Sequence, residues 1–210
     1  MQTKYPDTAI LVFCKAPVAG QVKTRLMPQL SAQQAADVHM QLTKRILSLL
    51  SRAHCCPIQL WCSPDTNHPF FEQCAAQYDV SLHLQQGADL GERMNHAICA
   101  ALEKSSTVLL IGCDCPSFKE NDFESAIDFL QLEAENGVVI APADDGGYVM
   151  IGMNKSYPEL FINMTWSHKD VYNNTVQRIV DLELTLFESR RQWDIDTFED
   201  LQRFRDSNKP

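Results

Sequence analysis

An α/β layer fold is the class this sequence predicts, and three observations predict it. Short apolar runs of strand length alternate with segments whose apolar residues recur every three or four positions. Gly, Pro, Asp and Asn punctuate the junctions. At 210 residues, with 45% hydrophobic and 21% charged side chains, the chain can bury one sizeable core and is too apolar to be disordered. No internal repeat, low-complexity stretch or linker divides it. Residues 1–205 are therefore expected to form a single domain, with residues 206–210 a fraying tail.

The elements follow in order. Thr8 to Cys14 reads as a buried strand. Ser31 can cap a long helix in which Ala35, Val38, Leu42, Ile46, Leu49 and Ala53 share one face. Ile58 to Cys62 is a second strand, Phe70 to Tyr78 a short helix and Val80 to Leu84 a third strand. Asp89 caps a helix with Leu90, Met94, Ala97, Ile98, Ala101 and Leu102 on one side. Thr107 to Gly112, apolar nearly throughout, belongs at the centre of the sheet. Phe123 to Leu132 is helical, Gly137 to Pro142 a strand, and Tyr148 to Met153 another after a Gly-Gly turn. A helical pattern from His168 to Leu182, a short strand from Thr185 to Phe187 and a helix from Phe198 to Phe204 close the chain.

Eighteen Lys and Arg against 27 Asp and Glu give a formal charge of -9. A net-acidic chain has no broad positive face for duplex nucleic acid or an anionic membrane, so neither is an expected partner. No run approaches the ~20 apolar residues of a membrane span. The apolar stretch Ala9 to Cys14 near the N-terminus is broken at once by Lys15, which favours a strand over a signal peptide. A cytoplasmic location is the expectation. The eight cysteines show no Cys-x-x-Cys spacing, so reduced and mostly buried thiols are expected rather than disulfides or zinc. A cluster of His54, Cys55, Cys56, Cys62 and His68 around a soft metal matches no known ligand spacing.

Ligands of open α/β sheets collect outside the carboxyl ends of the strands, so the residues there carry the functional reading. After the first strand, Lys15, Lys23 and Arg25 cluster in a loop that also holds Gly20. Gly20 permits close backbone approach, while the cations can neutralise phosphate oxygens. The spacing is neither a P-loop nor a Gly-x-Gly-x-x-Gly fingerprint, and an exposed basic loop is the plainer alternative. After the central strand comes Gly112-Cys113-Asp114-Cys115-Pro116. Asp114 there suits Mg²⁺ or Mn²⁺ held against a diphosphate, or else caps the following helix. Asp144 and Asp145 precede Gly146 and Gly147, where a plain hairpin turn competes with a functional lip. Asp194 and Asp196 point the same way if that stretch is extended, so one or both can complete a metal site, although Asp196 or Thr197 can also cap the last helix.

Taken in order, these segments resemble a bacterial family of glycosyltransferase-A-like proteins, relatives of nucleotide-diphospho-sugar transferases, some of which are named as glycosyltransferases of arsenosugar biosynthesis. The resemblance spans nearly the whole chain. It rests on Lys15-Ala16-Pro17 with Gly20 and Val22-Lys23-Thr24-Arg25-Leu26, and on Asp89-Leu90-Gly91-Glu92-Arg93-Met94. It continues through Gly112-Cys113-Asp114-Cys115-Pro116, Asp145-Gly146-Gly147-Tyr148 with Ile151-Gly152, Trp166-Ser167, and Asp194-Ile195-Asp196-Thr197. Two positions depart from the pattern: His168 stands where relatives usually have Thr, and Phe198 where they usually have Pro.

The resemblance implies a three-layer α/β/α nucleotide-sugar-binding fold with a mostly parallel sheet. It implies a metal-holding Asp114 beside the diphosphate and Lys15, Lys23 and Arg25 in the nucleotide loop. The leading expectation is metal-dependent transfer of a sugar from a nucleotide diphosphate sugar to a small-molecule acceptor. Asp144 or Asp145 is then the candidate base, Gly146 and Gly147 border the substrate, Arg93 either reaches the nucleotide or is a surface helix Arg, and Trp166 either walls the sugar or packs. Two alternatives stand beside it. One is a nucleotidyltransferase that takes a nucleoside triphosphate and releases pyrophosphate; the other is a non-catalytic nucleotide-sugar-binding protein. The sequence does not fix the oligomeric state.

Overall fold

Seven strands hydrogen-bond into one sheet in the computed structural model, which describes residues 3–133 and 135–207. They are β1 (Thr8–Lys15), β2 (Ile58–Ser63), β3 (Ser81–Leu84), β4 (Thr107–Gly112), β5 (Gly137–Pro142), β6 (Tyr148–Met153) and β7 (Thr185–Glu188). The order across the sheet is β3-β2-β1-β4-β6-β5-β7. All neighbours run parallel except β6, which lies antiparallel between β4 and β5. The unbroken apolar run of β4 takes the middle position, where both faces are covered.

Among the described residues, six helices cover the sheet: α1 (Ala32–Ala53), α2 (Pro69–Tyr78), α3 (Leu90–Leu102), α4 (Glu120–Leu132), α5 (Val171–Asp181) and α6 (Phe198–Ser207). A capping box starts α1: the Ser31 hydroxyl accepts from the Gln34 N–H at 3.2 Å, and the Gln34 side chain accepts from the Ser31 N–H at 2.8 Å. Alternate strand residues sort the layers. Ile10, Val12, Leu60, Leu109 and Ile111 meet Ile46 and Leu47 of α1, Phe71 of α2 and Phe123 and Ile127 of α4. Ala9, Leu11, Val108 and Leu110, on the opposite face, meet Met94 and Ile98 of α3 and Ile179 of α5. The expected three-layer α/β/α arrangement with a mostly parallel sheet is what forms.

A third cluster decides where the site is built. Ile195 and Leu201 pack with Leu26 and with Ala35, Val38 and Leu42 of α1. Burying side chains of this size contributes about 1.5–3 kcal/mol each. The packing pins the segment before α6 beside the loop after β1. Thr197 caps α6: its hydroxyl accepts from the Asp200 N–H at 3.3 Å, and Asp200 accepts from the Thr197 N–H at 2.7 Å. The helix runs to Ser207, so Asp206 and Ser207 form its last turn rather than a frayed tail; residues 208–210 lie outside the described residues. Single 3₁₀ turns at Thr24–Leu26 and Pro158–Leu160 had no periodic signal to announce them. The chain leaves β1 toward β2 and leaves β4 toward β5, so the strand order reverses between the two. That is where ligands of open α/β sheets bind.

Candidate functional site

A cleft of about 720 Å³ opens at that reversal, lined from β1, the loop after it, the end of β4, the turn before β6 and the segment before α5. Its size suits a small-molecule ligand. Lys15 ends β1 at the rim, exposed. Beyond it the loop turns at Gly20, whose φ of +81° is the left-handed conformation that favours glycine. Gly20 serves the turn and does not line the cleft: a Cβ there would meet nothing within 4 Å.

Lys23 also has a left-handed backbone, φ 48°, which turns its stem inward. Its Nζ donates to Asp114 Oδ2 at 2.8 Å, to the Ile195 carbonyl at 2.5 Å and to Asp196 Oδ1 at 3.3 Å. The side chain is only 6% exposed, against 32% for Asp114 and 36% for Asp196. Burial alone would lower its pKa; the charge and hydrogen bond of Asp114, joined by Asp196, outweigh burial and raise it. Burial would likewise raise the pKa of Asp114, but Lys23 holds it below the usual carboxylate range. Lys23 is therefore a tightly held counter-ion rather than the loose phosphate ligand the loop suggested. Arg25 is accessible, 68% exposed, with Nη1 2.8 Å from Asp196 Oδ2.

Asp114 does not cap α4, which starts at Glu120 behind its N-cap residue Lys119. It follows Gly112 on the way out of β4, where a Cβ on Gly112 would stand 3.1 Å from its Oδ1. Asp114, Asp194 and Asp196 each bring a carboxylate oxygen within 4.8 Å of the others. Asp194 lies behind the cleft wall. Burial, then the charges of Asp114, Asp196 and Asp145, push it up to about 7 despite Lys23. Three acids crowded enough to hold a proton near neutrality, with one buried ammonium among them, fit a hard divalent cation such as Mg²⁺ or Mn²⁺.

The opposite wall carries Asp145, Gly147, Tyr148, Trp166 and His168. Asp145 is exposed, and its Oδ1 accepts from the Gly147 N–H at 2.9 Å. Asp144, expected beside it, is not among the residues that line the cleft and pairs with Arg203 of α6 at 3.2 Å. Gly146 also lies outside the cleft. Its φ is +90°, and a Cβ would stand 2.0 Å from the Lys169 carbonyl, so it fastens the turn to the segment before α5. Trp166 packs against Gly91 while also lining the cleft.

Arg93 does not reach the cleft; its Nε donates to the Gly87 carbonyl at 3.0 Å and secures the turn before α3, while Leu90 and Met94 face inward. Among the described residues, His54, Cys55, Cys56, Cys62 and His68 form no ligand cluster, and His68 caps α2 instead. All eight cysteines are free thiols, seven of them buried. No helix among the described residues is long and apolar enough to cross a membrane. His39 lines the cleft floor and had been hidden in the apolar stripe of α1; a His between Ala35, Val38 and Leu42 was the signal that could have found it.

A family profile described as "Uncharacterized protein conserved in bacteria (DUF2064)" matches residues 46–168. A solved structure from Desulfovibrio desulfuricans G20, provisionally named a nucleotide-diphospho-sugar transferase, is 33% identical, with a TM-score of 0.87 over 97% of this chain and 88% of that one. A cytidylyltransferase from Leptospira borgpetersenii is 13% identical, with a TM-score of 0.61 over 95% of this chain and 85% of that one. A 4-diphosphocytidyl-2C-methyl-D-erythritol synthase from Anaerococcus prevotii is 12% identical, with a TM-score of 0.62 over 94% and 96%. No curated protein matches the sequence. The chain belongs to this bacterial family and has the nucleotide-diphospho-sugar transferase fold.

Proposed function

We propose that this member of the DUF2064 family is a metal-dependent glycosyltransferase that moves a sugar from a nucleotide diphosphate sugar to a small-molecule acceptor. The observation that carries the proposal is the set of Asp114, Asp194 and Asp196 around Lys23 at the carboxyl ends of β1 and β4, with an open cleft in front of it. The 33% identical relative named as a nucleotide-diphospho-sugar transferase supports the donor class.

Asp114, Asp194 and Asp196 are the residues to hold a divalent cation, which when bound supplies charge against the diphosphate oxygens. Lys23 keeps Asp114 ionised and fixed. Arg25, accessible at the rim, releases Asp196 and meets the phosphate on which negative charge grows as the bond between the sugar carbon and the leaving oxygen breaks. Asp145 accepts the proton of the acceptor hydroxyl whose oxygen forms the new bond; assistance of this kind is typically worth ~10²–10⁴-fold. Trp166 walls the sugar.

The cytidylyltransferase folds give the second reading a footing: a nucleoside triphosphate in the same cleft, with pyrophosphate leaving. One assay separates the two. The protein is incubated with Mg²⁺ or Mn²⁺, a panel of nucleotide sugars and nucleoside triphosphates, and candidate acceptors. Release of nucleoside diphosphate from a nucleotide sugar is the expected result. Pyrophosphate release from a triphosphate with no sugar transfer would replace the proposal by the second reading, and metal-dependent binding without turnover of any pair would reduce the protein to a nucleotide-sugar binder.

A further inference from the structure

Behind the carboxylates lies a cluster of different chemistry. Cys14 is near the end of β1, and Cys113 follows directly on β4. The parallel register sets Phe13 against Gly112, so the next residues, Cys14 and Cys113, lie side by side. Both belong to the core on the α1 side of the sheet. From α1 comes His39, whose Nε2 stands 3.5 Å from Cys14 Sγ. The two sulfurs and an imidazole nitrogen lie within 4.8 Å of one another, and the three residues are 2%, 5% and 5% exposed for Cys14, Cys113 and His39. Thr43 Oγ1, 3.5 Å from Cys14 Sγ, closes the back.

We propose that Cys14, His39 and Cys113 form a second cation site, selective for a soft divalent metal of the zinc class and separate from the carboxylate site. Zinc bonds thiolate sulfur at ~2.3 Å and imidazole nitrogen at ~2.0–2.1 Å in tetrahedral geometry. Ligand atoms then sit roughly 3.3–3.8 Å apart; Cys14 Sγ and His39 Nε2 already stand at 3.5 Å, and all three ligand atoms lie within 4.8 Å. Two thiolates and a neutral imidazole around a 2+ ion make a neutral centre, the one kind of ionic group that burial penalises little. A hard cation keeps to the oxygens of Asp114, Asp194 and Asp196.

All three residues also line the cleft floor, which gives a path of entry and leaves a fourth position facing the cleft, as in sites with three protein ligands. His39 Nε2 lies 2.9 Å from the Lys15 carbonyl, which only accepts, so without metal Nε2 carries the hydrogen. Metal binding moves that hydrogen to Nδ1 and releases the two thiol protons. The site stands whether or not the cleft transfers sugar.

The test uses reduced, chelator-stripped protein in excess Mg²⁺, which occupies the carboxylates, with Co²⁺ as the probe. One equivalent of Co²⁺ should give the visible bands of tetrahedral cobalt and a thiolate charge-transfer band, both displaced by Zn²⁺. Cys113→Ser and His39→Gln should abolish or weaken these bands at least about tenfold, in line with the loss of a ligand, while Asp114→Asn keeps them. Alkylation mapped by mass spectrometry is a reading that needs no variant: Zn²⁺ should protect Cys14 and Cys113 among the eight thiols. Absence of Co²⁺ binding, cobalt bands that survive Cys113→Ser, or zinc protection of other cysteines would overturn the proposal, as would isolation of a Cys14–Cys113 disulfide that binds no metal.

Discussion

The two walls of the cleft are built on opposite principles. On the β1–β4 wall the central charges are already paired: Lys23 serves Asp114, Asp196 and the Ile195 carbonyl, and Arg25 serves Asp196. The Ile195 N–H, in turn, donates to the Asp114 carbonyl at 3.2 Å, which ties the C-terminal segment to the end of the central strand. On the facing wall, the Tyr148 hydroxyl and Trp166 Nε1 are buried with no partner among the described residues. The first wall is organised by ion pairs; the second is organised by packing, with its unpaired polar atoms buried behind the surface.

The strongest way to break the comparison is to remove the centre of the organised wall. Asp114→Asn should lower turnover by at least ~10²-fold, the scale of losing one electrostatic contact to the departing group, with an unchanged circular dichroism spectrum because Asp114 caps no helix. On the facing wall, Asp145→Asn should cost ~10²–10⁴-fold if Asp145 is the base. Steady-state kinetics with whichever donor turns over in the panel assay decide both. A variant of Asp114 with full activity would remove the carboxylate site from the mechanism.

Gly146→Ala tests how the second wall is fastened. The new Cβ would stand 2.0 Å from the Lys169 carbonyl, a backbone atom, on a residue with φ of +90°. The left-handed backbone alone costs about 1–2 kcal/mol, so thermal unfolding should shift downward by several degrees. The loss should extend to acceptor KM, because Gly146 O also accepts from the Tyr172 N–H that opens α5. Unchanged stability would mean that the two segments are not locked together.

How much of this was legible follows from the range of the interactions. Strands β4, β5 and β6 were readable to the residue because their apolar runs end at Ser, Gly and Pro. The insertion of antiparallel β6 between β4 and β5 was not, since strand order is a non-local choice that no local pattern encodes. Asp114, Lys23 and Asp196 could be singled out because strand ends converge by topology, yet their mutual pairing depends on Ile195 and Leu201 packing against α1. Arg93 misled because its side chain folds back on Gly87, and Gly20 because its role is conformational. His39 was hidden by its position in an otherwise apolar face.

Asp194 sharpens the comparison through pH. Its pKa, pushed up to about 7 first by burial and then by neighbouring acids, lies above the unfolded value near 3.9. Between those values the folded protein keeps a proton that the unfolded chain has lost. The corresponding stability is therefore complete below about pH 4 and gone above about pH 7. A cation competes with the same proton. Mn²⁺ affinity, measured by calorimetry, should rise up to about tenfold per pH unit as pH approaches 7 and then level off. Asp194→Asn should flatten that profile; an unchanged profile would place the titrating group elsewhere.

The smallest expected effect separates two adjacent acids. Asp144 faces α6 and pairs with Arg203, both side chains half exposed at 51% and 55%. Exposed pairs of this kind contribute about 0–1 kcal/mol. Asp144→Asn should therefore leave donor and acceptor kinetics within about twofold of wild type and shift stability by no more than that pair is worth. Arg203 keeps a second contact, 4.2 Å over the Trp193 ring, so even its position should survive. Chemistry at the turn before β6 would then belong to Asp145 alone. A large kinetic loss in Asp144→Asn would show instead that α6 is coupled to the acceptor wall through that pair.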